Sequence, residues 1–198
     1  MKKFELTTDR IKRNGATLYR IKALIDFGDV KAGDLGGYVE KEENLSQTDN
    51  AWVCGNARVS GNASVYDNAC VRDNACVRDN AQVHGNALVY GDACVRDNAC
   101  VRDNAQVYGD AHVCDNACVY GDAWICSNAD YIYLKGFDSH NRSTTMFRAK
   151  SGNICVSCGC FSGTLQEFES KVKETHGNSK FAREYLALVE AAKIHFEV

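Results

Sequence analysis

Fourteen alanines stand at intervals of six without a slip, from Ala51 through Ala57 and Ala63 to Ala129, and each follows Asn or Asp. Two places after each of the first thirteen comes Val or, at Ile125, its larger relative. A period of six matches neither the 3.6 of a helix nor a heptad, so this stretch is one repeat array and not a series of independent elements. In the unit Val71-Arg72-Asp73-Asn74-Ala75-Cys76, Ala and Val are two apart and share one side of an extended chain, while the residues between and beyond them face the other side. The remaining pair, Asp73-Asn74 here and Gly85-Asn86 elsewhere, consists of residue types that accept left-handed backbone and turn a corner. Each hexad therefore makes a short strand and a bend. One such strand cannot bury its apolar side, but stacked coils can, with Ala and Val forming a continuous interior.

These consecutive units resemble the hexapeptide-repeat, left-handed β-helix family, over residues 51–133. The resemblance implies that three hexads close one triangular coil of eighteen residues and that the body is a left-handed parallel β-helix. The expected organisation is a leader and cap over residues 1–50, the solenoid over 51–133, and a C-terminal module over 134–198. In the leader, residues 19–25 read as a strand. Gly33 and Leu35 fall one full coil below Ala51 and Val53, with Lys41 and Gln47 in slots that suit aliphatics, so a degraded first coil covering an open end is expected. After Ala129 the rhythm fails. Residues 144–150 and 154–158 flank Ser151-Gly152-Asn153 and read as a hairpin. Thr164-Leu165-Gln166-Glu167 is a capping box opening a helix that stops at Gly177, and a second helix over 179–195 places Phe181, Tyr185, Leu188 and Ala192 on one face.

The net charge of -3 gives no general attraction to nucleic acid or to an anionic membrane. Within residues 51–128 five Arg stand against nine Asp, a balance of -4, so extended DNA or RNA binding is not expected. The opening Met1-Lys2-Lys3-Phe4-Glu5 lacks an apolar signal core, no run reaches the ~18 apolar residues of a membrane span, and a cytoplasmic location is expected. The eleven cysteines are odd in number and sit mostly at outward repeat positions. Eighteen-residue stacking sets Cys76 over Cys94 and Cys100 over Cys118, about 4.8 Å apart in parallel strands, and reduced thiols are the expectation because adjacent parallel strands seldom aim two side chains for a bridge.

Enzymes of the resembled family are mostly acyltransferases, whose trimers hold an acyl-CoA between coils and use a histidine as general base. The outward His84 and His112 are the residues on which that reading rests, with acetyl-CoA or another acyl-CoA as cofactor. Against it, no excursion loop interrupts the array, so a pocket has to form between subunits or against the flanking segments. Arg72, Arg78, Arg96 and Arg102 offer stacked guanidinium forks for a small anionic, nucleotide-like ligand. Tyr90 and Tyr108 in one column, with Trp52 and Trp124 at the ends of the next, read as an outward aromatic face for self-association into a homotrimer or for a host protein. Cys155, Cys158, Cys160 and His176 are an alternative zinc set, weakened because strand alternation aims Cys155 away from the other two. The leader GDVKAGDLGGYVEKEENLSQ and the tail CGCFSGTLQEFESKVKETHG resemble segments of bacterial and phage hexapeptide-repeat proteins. The expectation is a non-catalytic binding or scaffold protein without cofactor, an accessory factor of phage or prophage that counters host defence, with acyl-CoA-dependent transfer as the alternative.

Overall fold

The computed structural model describes residues 2–13, 15–137 and 140–198. The chain opens with an antiparallel hairpin, β1 (Phe4–Arg13) and β2 (Ala16–Ala23), followed by β3 (Leu35–Val39), which pairs antiparallel with β2. Thirteen two-residue strands follow, β4 (Trp52–Val53) to β16 (Trp124–Ile125), one per hexad. They stack as parallel ladders on three faces. The first face carries Trp52–Val53, Cys70–Val71, Leu88–Val89, Gln106–Val107 and Trp124–Ile125. The second carries Arg58–Val59, Cys76–Val77, Cys94–Val95 and His112–Val113, and the third Ser64–Val65, Gln82–Val83, Cys100–Val101 and Cys118–Val119.

The interior is what the hexad demands. Every repeat Ala from Ala51 to Ala123 and every aliphatic two places after one, from Val53 to Ile125, is buried. Each short strand gives its N–H groups to the next coil, as in Arg58 N–H to the Ala75 carbonyl at 2.9 Å and Ser60 N–H to the Val77 carbonyl at 3.0 Å. At the bends, Asp67, Asp73, Asp79, Asp97, Asp103 and Asp115 and the intervening glycines take positive φ. The following asparagines form side-chain ladders from coil to coil, such as Asn62 Nδ2 to Asn80 Oδ1 at 3.2 Å and Asn80 Nδ2 to Asn98 Oδ1 at 3.1 Å. Corner carboxylates accept backbone N–H groups of the next coil, Asp67 from Gly85 and Asp103 from Gly121, both at 3.1 Å. The Asn and Asp at the bends thus satisfy one another as well as bending the chain.

The first coil departs from the expected frame. Val39 pairs with Val59 and Leu45 with Val65, whereas Val53 pairs with Val71, so this coil is two residues longer than the later ones. Val39 and Leu45 are the inward aliphatics, and Leu35, expected at that slot, is 57 % exposed. The surplus lies between Leu45 and Trp52, where Gln47 Oε1 accepts the Lys3 N–H at 2.8 Å and the buried Lys3 Nζ donates to the carbonyls of Thr48 (3.0 Å) and Ala51 (2.8 Å). Burial pushes the Lys3 ammonium down to about 8 against the opposing pull of Asp49. Asn44, fully buried, closes the adjacent corner by donating to the carbonyls of Gly61 and Ala63. Gly36 has no room for a side chain, since a Cβ there meets Ile21 Cγ1 at 2.5 Å and the Val53 carbonyl at 2.6 Å. Through β3 the hairpin extends the second face into a seven-stranded sheet.

At the other end the Asn128–Asp130 turn leads into an antiparallel sheet of β17 (Tyr131–Phe137), β18 (Arg142–Arg148), β19 (Ile154–Cys158) and β20 (Phe161–Thr164). The expected hairpin is therefore the centre of a four-stranded sheet that begins at Tyr131. The helices are α1 (Leu165–His176), capped by Thr164 with Glu167 in reciprocal hydrogen bonds, and α2 (Lys180–Phe196), capped by Ser179. The buried face of α2 is Ala182, Tyr185, Val189, Ala192 and Phe196, which includes the expected Tyr185 and Ala192; the expected Leu188 packs against it half-buried, and Phe181 is also only half-buried. Phe147 of β18 is fully buried in the solenoid interior and meets Tyr120 edge-on at 5.1 Å, while Met146 beside it packs under the helices.

Candidate functional site

Along the repeat body, a concavity lies where the hairpin borders the second face. There β2 supplies Ala16 and Leu18, the residue after β3 supplies Glu40, and successive coils supply Arg58, Ser60, Cys76, Arg78 and Asp79, with Arg13 from β1 at the rim; the groove holds about 520 Å³. Three guanidinium groups line it. Among the described residues Arg13 forms no ion pair, and Arg58 donates to the Asn74 carbonyl at 3.3 Å. Arg78 pairs with Asp79 at 2.7 Å. The two carboxylates present are engaged by backbone donors, Glu40 by the Gly61 N–H at 2.6 Å and Asp79 by the Asp97 N–H at 3.3 Å.

Of the four arginines singled out from the sequence, only Arg78 lines this groove. Arg96 and Arg102 pair with Asp97 at 2.5 Å and Asp103 at 2.8 Å, and Arg72 lies over the Tyr90 ring at 4.6 Å on the first face. Arg13 and Arg58 were not among them. Arg58 was legible as the first arginine of the array, standing in the column of Cys76, but Arg13 reaches the groove through a hairpin that carries no repeat signal.

The aromatic column is partly as expected. Tyr90 and Tyr108 stack at 5.0 Å with rings 6° apart, and Trp124 meets Tyr108 edge-on at 5.3 Å under the Lys150 ammonium. Trp52 is not part of an exposed face. It is only 6 % exposed, held edge-on by Phe27 at 5.3 Å and Phe4 at 6.5 Å, because the N-terminal cap covers that end of the column.

On the third face His84 stacks against Tyr66 at 4.6 Å. Its Nδ1 is 3.7 Å from the Asp67 carboxylate at the corner and its Nε2 is 3.6 Å from Cys100 Sγ. This carboxylate comes from one coil back, a neighbour that reading within a single column overlooks. His112 is exposed beside Cys94, and its main chain anchors the C-terminal module, accepting from Tyr131 Oη at 2.6 Å and donating to Asn128 Oδ1 at 2.8 Å.

The four candidate zinc ligands do not converge, and no cluster of three or more metal-binding side chains occurs among the described residues. Cys155 packs against the solenoid core, and burial, with Glu167 and Asp122 adding to it, raises its thiol. Cys158 faces the helices, accepting from Thr144 Oγ1 at 3.2 Å and lying 3.5 Å from Tyr185 Oη. Cys158, Cys160 and His176 do line one cavity of about 300 Å³ with Phe161, Phe168 and Tyr185, but the His176 ring is occupied by Tyr185 at 5.9 Å.

Residues 51–67, the opening of the array, match the family model of the YdcK β-solenoid repeat. The chain is a hexapeptide-repeat β-solenoid. No curated protein matches it significantly. One groove lies at the border of this solenoid with the N-terminal hairpin, and a second cavity lies within the C-terminal sheet and helices.

Proposed function

We propose that this β-solenoid is a binding module whose ligand is a small, multiply charged anion of nucleotide size, taken into the groove between the N-terminal hairpin and the second face. The observation that carries this reading is the convergence of Arg13, Arg58 and Arg78 on one groove whose carboxylates already accept backbone N–H groups. Guanidinium forks suit bidentate capture of phosphate oxygens. The first face, with Arg72, Tyr90, Tyr108 and Trp124, is the surface through which the module assembles as a homotrimer or meets a host protein. The setting, an accessory role in phage or prophage against host defence, rests on the likeness of leader and tail.

Thermal unfolding of the protein with adenosine triphosphate, at constant ionic strength, tests the groove. A ligand at about a hundred times its Kd adds roughly 2.7 kcal/mol to stability. Arg58→Ala is expected to abolish the shift and Arg102→Ala, on the third face, to preserve it. Equal shifts in both variants, or none in the native protein, would sink the reading.

One observation favours acyl-CoA-dependent transfer as a second reading: Asp67 lies within ion-pair range of His84 Nδ1, as an orienting carboxylate does for a general base. That reading requires acetyl-CoA to stabilise the protein where nucleotides do not, and His84→Ala to remove turnover.

A further inference from the structure

Four hexads read Cys-Val-Arg-Asp-Asn-Ala, beginning at Cys70, Cys76, Cys94 and Cys100, and the anion groove accounts for little of this pattern. Cys76 and Cys94 are in register on adjacent strands of the second face, and Cys100 and Cys118 are in register on the third. All four thiols are free and half-buried, within reach of solvent. In-register parallel strands send both side chains the same way about 4.8 Å apart. A disulfide tolerates that backbone spacing but needs the two side chains turned toward each other, which in-register parallel strands seldom supply. A metal–thiolate bond is about 2.3 Å, and two of them end to end span about 4.6 Å, close to the coil spacing.

We propose that the Cys76–Cys94 and Cys100–Cys118 pairs are two-coordinate sites for a soft monovalent metal ion of the copper(I) class. Thiolates select such ions over hard ones. The Arg78 guanidinium near Cys94 and the Arg102 guanidinium near Cys118 offset the single negative charge of two thiolates on one monovalent ion. Binding forms two metal–sulfur bonds, breaks two S–H bonds and releases two protons, with no change of oxidation state. On the third face His84 Nε2, 3.6 Å from Cys100 Sγ, is placed to take one of them.

The full-length reduced protein, titrated anaerobically with copper(I) supplied as its acetonitrile complex, is expected to hold at least two equivalents against a competing copper(I) chelator. Cys94→Ser and Cys118→Ser are each expected to lose one equivalent and the double variant two, with unchanged far-ultraviolet circular dichroism, while Cys160→Ser loses none. X-ray absorption of the loaded native protein, which depends on no variant folding, is expected to show two sulfur neighbours per copper. Full copper retention by the double variant, or a shell of three or four ligands, would overturn the proposal.

Discussion

Asp130 closes the last coil with a single carboxylate. Its Oδ2 accepts the backbone N–H groups of Cys126 and Ser127, both at 3.0 Å, and the Ser127 hydroxyl at 3.2 Å, while Arg148 approaches Oδ1 at 3.7 Å. Burial works to raise this carboxyl, but the hydrogen bonds from the Cys126 thiol and from the Cys126 and Ser127 backbone outweigh it and hold it below the usual carboxylate value. A depressed carboxylate contributes stability that is fully present above its unfolded value and is lost as pH falls through the folded one. Asp130→Asn is therefore expected to cost about 1–3 kcal/mol near neutrality and to lose less stability than the native protein below pH ~4. Urea unfolding of both proteins across that range checks the sign. This residue was legible only as the point where the rhythm fails; its partners lie within four residues, yet no hexad rule assigns it a role.

At the scale of elements, the thirteen strands follow from the hexad and the flanking elements do not. The capping box at Thr164 and the stop at Gly177 were readable because their chemistry is local to the chain. The buried face of α2 was readable in part: Tyr185 and Ala192 are buried as expected and Leu188 packs against them half-buried, while Ala182, Val189 and Phe196 complete the face where α1 and the sheet meet it. The N-terminal hairpin shows the same limit, since Trp52 becomes core only when Phe4 and Phe27 arrive from another element. Trp52→Ala is expected to cost about 3–5 kcal/mol, the range for deleting a buried large aromatic. Trp124→Ala, at the half-exposed end of the same column, is expected to cost less in chemical denaturation and to weaken self-association in light scattering.

For the whole molecule, the governing fact is that a solenoid has two open ends. Here both are covered from within the chain: Val39, Leu45, Lys3 and Asn44 close one, and Phe147, the Ala123–Ala149 bridge and the Thr145 hydroxyl bonded to the Cys118 N–H at 3.0 Å close the other. Uncovered coils present unpaired backbone groups and apolar interior to any second chain. Deletion of residues 131–198 is expected to give concentration-dependent aggregates with retained strand content, measured by light scattering and circular dichroism. The same caps make the concavities, since the groove lined by Arg13, Arg58 and Arg78 needs both the hairpin and the second face, and the 300 Å³ cavity lies between sheet and helices.

The sequence by itself determined one short strand and one bend per hexad with Ala and Val inward, because a strict period repeats the contacts of the unit before; the three faces, and with them the eighteen-residue stacking of thiols and tyrosines, were what the resemblance to the hexapeptide-repeat family implied. Tertiary structure alone decided the two-residue lengthening of the first coil, the burial of Trp52, the approach of Asp67 to His84 and the meeting of Arg13 with Arg58 and Arg78. The approach of Asp67 to His84 depends on side-chain directions within two adjacent coils; the others depend on contacts with segments that share no period, where the chain's own order carries no measure of distance.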